Sequence, residues 1–218
     1  MSRHAFEEQL DILHRTLMSM GSLVEEAIHK AIKSLVERDT KLAEEVIEND
    51  RMINQLEQEI EAGCFRLIAL QQPVGSDLRR VGTMLKLVTD LERMGDHAVA
   101  IAKTTRRLMN EPYVKPLIDI PIMADNVKAM VRDCLNAYIA KDQAAAEEVA
   151  ARDDIVDKLF SKIFRDLIEV MTKHEHTISQ GTHLLLVAQY LERIADHVTN
   201  ICEWNIYMLT GRMTELNN

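Results

Sequence analysis

One seven-residue motif occurs twice in this chain. Leu91-Glu92-Arg93-Met94-Gly95-Asp96-His97 returns as Leu191-Glu192-Arg193-Ile194-Ala195-Asp196-His197. An internal repeat constrains a fold more than any local propensity, because each copy must be one structural unit. The match extends backwards with a small shift. Arg38-Asp39 followed by Glu44-Glu45-Val46 parallels Lys141-Asp142 followed by Glu147-Glu148-Val149, and Asp50, Ile53 and Leu56 parallel Asp153, Val156 and Leu159.

The units themselves read as helices. Leu10, Leu13, Leu17, Met20, Val24, Ile28, Ala31 and Leu35 step by three and four, the seam of a packed helix. A second stripe, from about Thr40 to Leu70, carries Leu42, Val46, Ile53, Leu56, Ile60, Leu67 and Leu70. Pro73-Val74-Gly75-Ser76 breaks it, and Ser76 is the expected N-cap of a third helix reaching Met109. A fourth helix is expected from about Pro121 to Ala140, a fifth from Gln143 to His174 and a sixth from Gln180 to Thr210, where Gly211 stops it. No segment alternates with a period of two, and aromatics are only 4% of the chain, which argues against a sheet. The expected fold is all-α: two tandem three-helix bundles, residues 1–111 and 119–218, joined by a Pro-bearing linker at 112–118.

Composition removes several function classes. The formal net charge is -9, and the arginine pairs Arg79-Arg80 and Arg106-Arg107 are not interleaved with aromatics, so no nucleic-acid partner is expected. Cys64, Cys134 and Cys202 are scattered without a CxxC and read as buried free thiols of a reducing compartment. Met1 to Leu10 has no apolar signal-like core. No run approaches the roughly 18 apolar residues that span a bilayer, so a cytoplasmic protein is expected. No Gly-rich phosphate loop, GxSxG or other local catalytic signature occurs, and no enzyme is expected. His174-Glu175-His176 reads as an exposed turn, the methionines as core filler, and Trp204 as an anchor in a core or interface.

The candidate site lies where carboxylates interrupt the seam. The third-helix stripe Leu78, Val81, Leu85, Val88 continues at Glu92, and the sixth-helix stripe Leu185, Ala188 continues at Glu192. Asp96 and Asp196 follow four residues later, so each Glu–Asp pair shares a helix face and repels itself. A bound cation offsets that repulsion, and carboxylate oxygens suit Mg, Ca, Mn or ferric iron better than zinc or copper. Asp50 and Asn54 on the second helix, and Asp153 and Asp157 on the fifth, supply further oxygens to each groove. Salt bridges with Arg93 and Arg193 offset the same repulsion without a metal. His97 and His197 point roughly 100° away from the aspartates and read as polar helix-face residues.

The doubled Leu-Glu-Arg-x-x-Asp-His motif, with two tandem three-helix units along nearly the whole chain, resembles the PhoU family. That resemblance implies a cytoplasmic homodimer that negatively regulates the phosphate-starvation response. It implies an adaptor between the ATPase of a high-affinity phosphate ABC transporter and a membrane sensor histidine kinase, reaching the membrane only through its partners. It also implies that Glu92, Asp96, Glu192, Asp196, Asp50, Asp153 and Asp157 carry the family's metal motifs, for Mg, Mn or Fe. Asn54 stands where Asp157 stands in the second unit, which removes one negative charge from the first. Two rival readings are a metal-free helical interaction module and a ferritin-like di-iron protein. For the latter, Glu26-Ala27-Ile28-His29 is the one Glu-x-x-His match and has no repeat partner.

Overall fold

A computed structural model describes residues 3–216; residues 1, 2, 217 and 218, which the expected unit boundaries include, lie outside it. Seven α-helices follow one another: α1 (Arg3–Glu37), α2 (Thr40–Gln71), α3 (Ser76–Leu108), α4 (Asp119–Ala140), α5 (Gln143–Ala150), α6 (Asp153–Lys173) and α7 (Ile178–Thr210). One 3-10 turn, Glu175–Thr177, precedes α7, and there is no strand among the described residues. Helices α1 to α3 form one bundle, and α4, α5 with α6, and α7 form the other. None of them is long and apolar enough to cross a membrane.

The repeat extends to the turns. Arg38 (φ 58°) and Lys141 (φ 55°) both adopt the left-handed conformation just past a helix end. The next residue's N–H reaches back five residues in each case, Asp39 to the Ser34 carbonyl at 2.9 Å and Asp142 to the Ala137 carbonyl at 3.0 Å. This is a Schellman closure. The same aspartates then cap the following helices: Asp39 accepts from the Lys41 and Leu42 N–H groups, and Asp142 from that of Ala145. Each cap contributes about 1 kcal/mol.

The α1 stripe is buried throughout, from Leu10 to Leu35. Each large side chain fully removed from water there contributes about 1.5–3 kcal/mol. The core is continuous across both units because α3 and α7 lie against each other. Their pairing is antiparallel: Lys86 sits over the Trp204 ring, Asp90 meets His197, and His97 stacks on Tyr190. A second junction joins α1 to α4, where a Cβ on Gly21 would stand 2.1 Å from Leu135 Cδ1. All three cysteines are free and buried, and burial pushes the Cys64 and Cys202 thiols up to about 12.

Three local expectations are corrected. The fifth helix is two helices, broken at Ala151–Arg152. Arg152 reaches Asp133 on α4 at 2.6 Å, and the break puts Asp153 and Asp154 in the first turn of α6, where the helix dipole favours carboxylates. Ser76 is already helical; the cap position is Gly75, with φ 58° and no side-chain hydrogen bond. Leu70 and Leu78 lie at the bundle end and are exposed, at 61% and 43%, because the stripes overrun the packed length of their helices.

Candidate functional site: two carboxylate grooves

In and just after the first motif Leu91, Met94, Gly95 and Ala98 are buried. Glu92 and Asp96 therefore emerge at the edge of the packed face. The Glu92 side chain is only 16% exposed and that of Asp96 46%. The missing Cβ of Gly95 lets α2 approach closely: a Cβ there would lie 3.1 Å from Ile53 Cδ1 and 3.6 Å from Asp50 Oδ1. Asp50 thus hangs over Gly95, and its Oδ2 accepts from Asn54 Nδ2 at 3.0 Å. Burial first, and then the charge of Asp96, raise the Asp50 carboxyl, against the Asn54 hydrogen bond. Glu92 is raised by burial and then by Asp96 and Asp50, with Arg93 and His197 opposing.

The second groove repeats the arrangement. Leu191, Ile194, Ala195 and Val198 are buried, and Asp153 is 6% exposed. Burial and then Asp196, Asp157 and Asp153 raise Glu192, whose Oε2 accepts from Gln189 Nε2 at 2.6 Å. Asp196 is raised by burial and by Asp157, while His197 and Arg193 oppose. The seven carboxylates singled out from the sequence therefore fall into two sets, Asp50, Glu92 and Asp96 on one groove and Asp153, Asp157, Glu192 and Asp196 on the other.

The two grooves are compensated differently. In the first, Arg93 lies 3.3 Å from Asp96 and 3.5 Å from Glu92. In the second, Arg193 makes no ion pair among the described residues and acts on Asp196 only at longer range. The donor chemistry of both grooves suits a hard cation. Their side-chain positions do not close a cage: among the described residues no group of three or more His, Cys, Asp or Glu converges on one point.

Two features escaped the sequence. Glu57, seven residues beyond Asp50 on α2, belongs to the first groove, and its carboxyl is raised by burial and then by Glu92. Its spacing was the available signal, since seven residues return to nearly the same face. In the repeat register Glu57 and Glu61 correspond to Phe160 and Phe164, whose rings lie 6.3 Å apart, so one groove ends in acids and the other in aromatics. The second feature is the inter-unit histidine cluster. His197 Nδ1 meets Asp90 Oδ1 at 2.9 Å. The His97 ring lies 5.7 Å from both Tyr190 and His197, and burial, with His197 beside it, pushes His97 down to about 4. Tyr190 stands where the first motif's helix carries Asp90, so the two histidines have unlike partners.

Comparison with known proteins agrees with this duplication. The family model described as PhoU domain matches residues 17–105 and again 120–204. A phosphate-specific transport system accessory protein PhoU homolog of Clostridium acetobutylicum is 43% identical over 219 residues, covering all of both chains. One of Streptococcus pneumoniae is 35% identical, covering 99% of this chain and 100% of its own. Among solved structures, PhoU from Pseudomonas aeruginosa superposes with a TM-score of 0.91 at 34% identity, covering 95% of this chain and 100% of that one. The phosphate transport system regulatory protein PhoU from S. pneumoniae gives 0.89 at 34%, covering 96% and 99%.

Proposed function

The chain belongs to the PhoU family of phosphate-transport accessory proteins, and on that premise we propose that it is a cytoplasmic, non-enzymatic negative regulator of the phosphate-starvation response. In this reading it acts as a homodimer between the ATPase of a phosphate ABC transporter and a sensor histidine kinase. The observation that carries the reading is the duplication of a carboxylate groove on one continuous core. A rigid double bundle offers two related acidic faces at a fixed separation, which suits a scaffold for two partners.

Each groove takes a hard cation, Mg, Mn or Fe, on Glu92, Asp96 and Asp50 in the first unit and on Glu192, Asp196, Asp153 and Asp157 in the second. A cation held there would remove the mutual repulsion and fix how the middle and last helices of each unit pack. The second groove binds more tightly, since Arg93 already offsets charge in the first, whereas Arg193 makes no ion pair among the described residues.

The partner reading is tested by affinity capture of the tagged protein from phosphate-replete and phosphate-starved cells. Recovery of the transporter ATPase and the sensor kinase, with a phosphate-dependent ratio, is expected. Absence of both partners, with unchanged phosphate-regulated expression after deletion, refutes the reading.

A further inference from the structure

Away from both carboxylate grooves, a cleft of about 690 Å³ opens where the two units meet, between α1, the start of α3 and the C-terminal end of α4. We propose that this cleft binds a phosphate monoester with an apolar body. None of the seven groove carboxylates lines it.

The charges around it are unusual for this chain. Arg15, Arg80 and Lys141 face Glu7 and Asp11 on a protein whose formal charge is -9, and Asp77 beside Arg80 brings the local balance to zero. Glu7 is committed to Arg80 through two hydrogen bonds of 2.9 Å. Arg80 also donates to Asp77 at 3.4 Å; its side chain is 15% exposed, and its Nε is buried without a hydrogen-bond partner among the described residues. Arg15 and Lys141 make no ion pair among the described residues. Arg15 and Lys141 are therefore the cations open to an anion.

His14 supplies the second half of the match. Its Nε2 lies 3.2 Å from the Tyr138 hydroxyl, on a ring that is 1% exposed. Its Nδ1 lies 4.0 Å from Asp11. Burial, and then the charges of Arg80 and Lys141, lower its pKa against Asp11 and Glu7, so at neutral pH the imidazole is uncharged. An entering anion offsets the cations that keep the proton off. Proton uptake by His14 then adds one positive charge to the cleft, which favours the anion further.

The remaining wall is mainly apolar, made by Met18, Ile139 and Met208, with Ser19, whose hydroxyl donates to the Arg15 carbonyl at 3.1 Å. Inorganic phosphate leaves that wall uncovered, whereas an ester covers it, and the volume falls within the ordinary range for small-molecule sites.

Calorimetric titration of the full chain with adenosine monophosphate, phenyl phosphate, inorganic phosphate and adenosine tests the assignment. Both monoesters are expected to bind more tightly than inorganic phosphate, and adenosine not at all. Arg15→Gln and Lys141→Gln each weaken binding about tenfold or more with unchanged helical circular dichroism. Lys33→Gln, an exposed cation elsewhere on α1, keeps wild-type affinity. Proton uptake, read from the buffer dependence of the binding heat, is lost in His14→Gln. The proposal is overturned if neither monoester binds at millimolar concentration. It is also overturned if inorganic phosphate binds as tightly as the esters, or if Lys33→Gln weakens binding as much as Arg15→Gln and Lys141→Gln.

Discussion

Gly95 is the residue on which the close approach of α2 and α3 depends, and the repeat supplies its own control. At the equivalent positions the first unit pairs Gly95 with Ile53, and the second has Ala195 and Val156. A Cβ on Gly95 would sit 3.1 Å from Ile53 Cδ1 and 3.4 Å from its Cγ2, inside the 3.5–4.0 Å optimum for carbon pairs. Gly95→Ala alone therefore combines a helix-propensity gain of about 1 kcal/mol with a contact that Ile53 must relieve by shifting. Ile53→Val alone removes Cδ1 and costs about 0.5–1.5 kcal/mol. In the double variant the new methyl occupies space that Cδ1 vacates, so both penalties shrink. The expected coupling is favourable by about 0.5–1.5 kcal/mol, leaving the double variant at least as stable as wild type. Urea denaturation of the four proteins with a common m-value measures it. Additivity to within about 0.3 kcal/mol would refute the equivalence of the two helix pairs.

Other expectations follow from the same packing. Gly21→Ala forces Leu135, 2% exposed, out of a 2.1 Å overlap, and is expected to lower stability by about 1–3 kcal/mol despite better helix propensity; an unchanged melting temperature contradicts the tight α1–α4 junction. Asn205 is wholly buried, and neither side-chain polar atom has a hydrogen-bond partner among the described residues. Asn205→Leu is therefore expected to stabilise by about 1–3 kcal/mol in chemical denaturation, and a loss of stability refutes that reading. The Glu192 carboxyl is raised in the fold above its ordinary 4.5, so its ionised form disfavours folding above the raised value, and the penalty fades as pH falls towards 4.5. Glu192→Gln is expected to melt higher than wild type at neutral pH, with the gap closing on acidification; a gap independent of pH counts against the electrostatic account.

What was legible in the sequence was whatever local periodicity encodes. The α1 seam, the six long helical segments and the duplicated motif are each carried by residues a few positions apart, and so is the partial burial of Glu92 and Glu192. The helix break before Asp153 depends on Arg152 meeting Asp133 across two helices, a tertiary contact that no stripe announces. The pairing of Asp90 with His197 joins residues far apart in the chain. Read alone, each is an unremarkable polar residue on a helix face, and only the antiparallel docking of α3 on α7 brings them together. Glu57 was missed although its spacing from Asp50 pointed to it, because it has no acidic counterpart in the second unit. The exposed Leu70 and Leu78 show the reverse failure: a stripe continues in sequence after its partner helix has ended.

The most direct test of the groove assignment is calorimetric titration of chelator-treated protein with Mn²⁺, in wild type and in Glu192→Gln/Asp196→Asn. Saturable binding is predicted for wild type, with a rise in melting temperature as the cation favours the folded state. The double variant is predicted to lose the tighter site while remaining helical. Indistinguishable isotherms for the two proteins would contradict the claim that these carboxylates hold the cation.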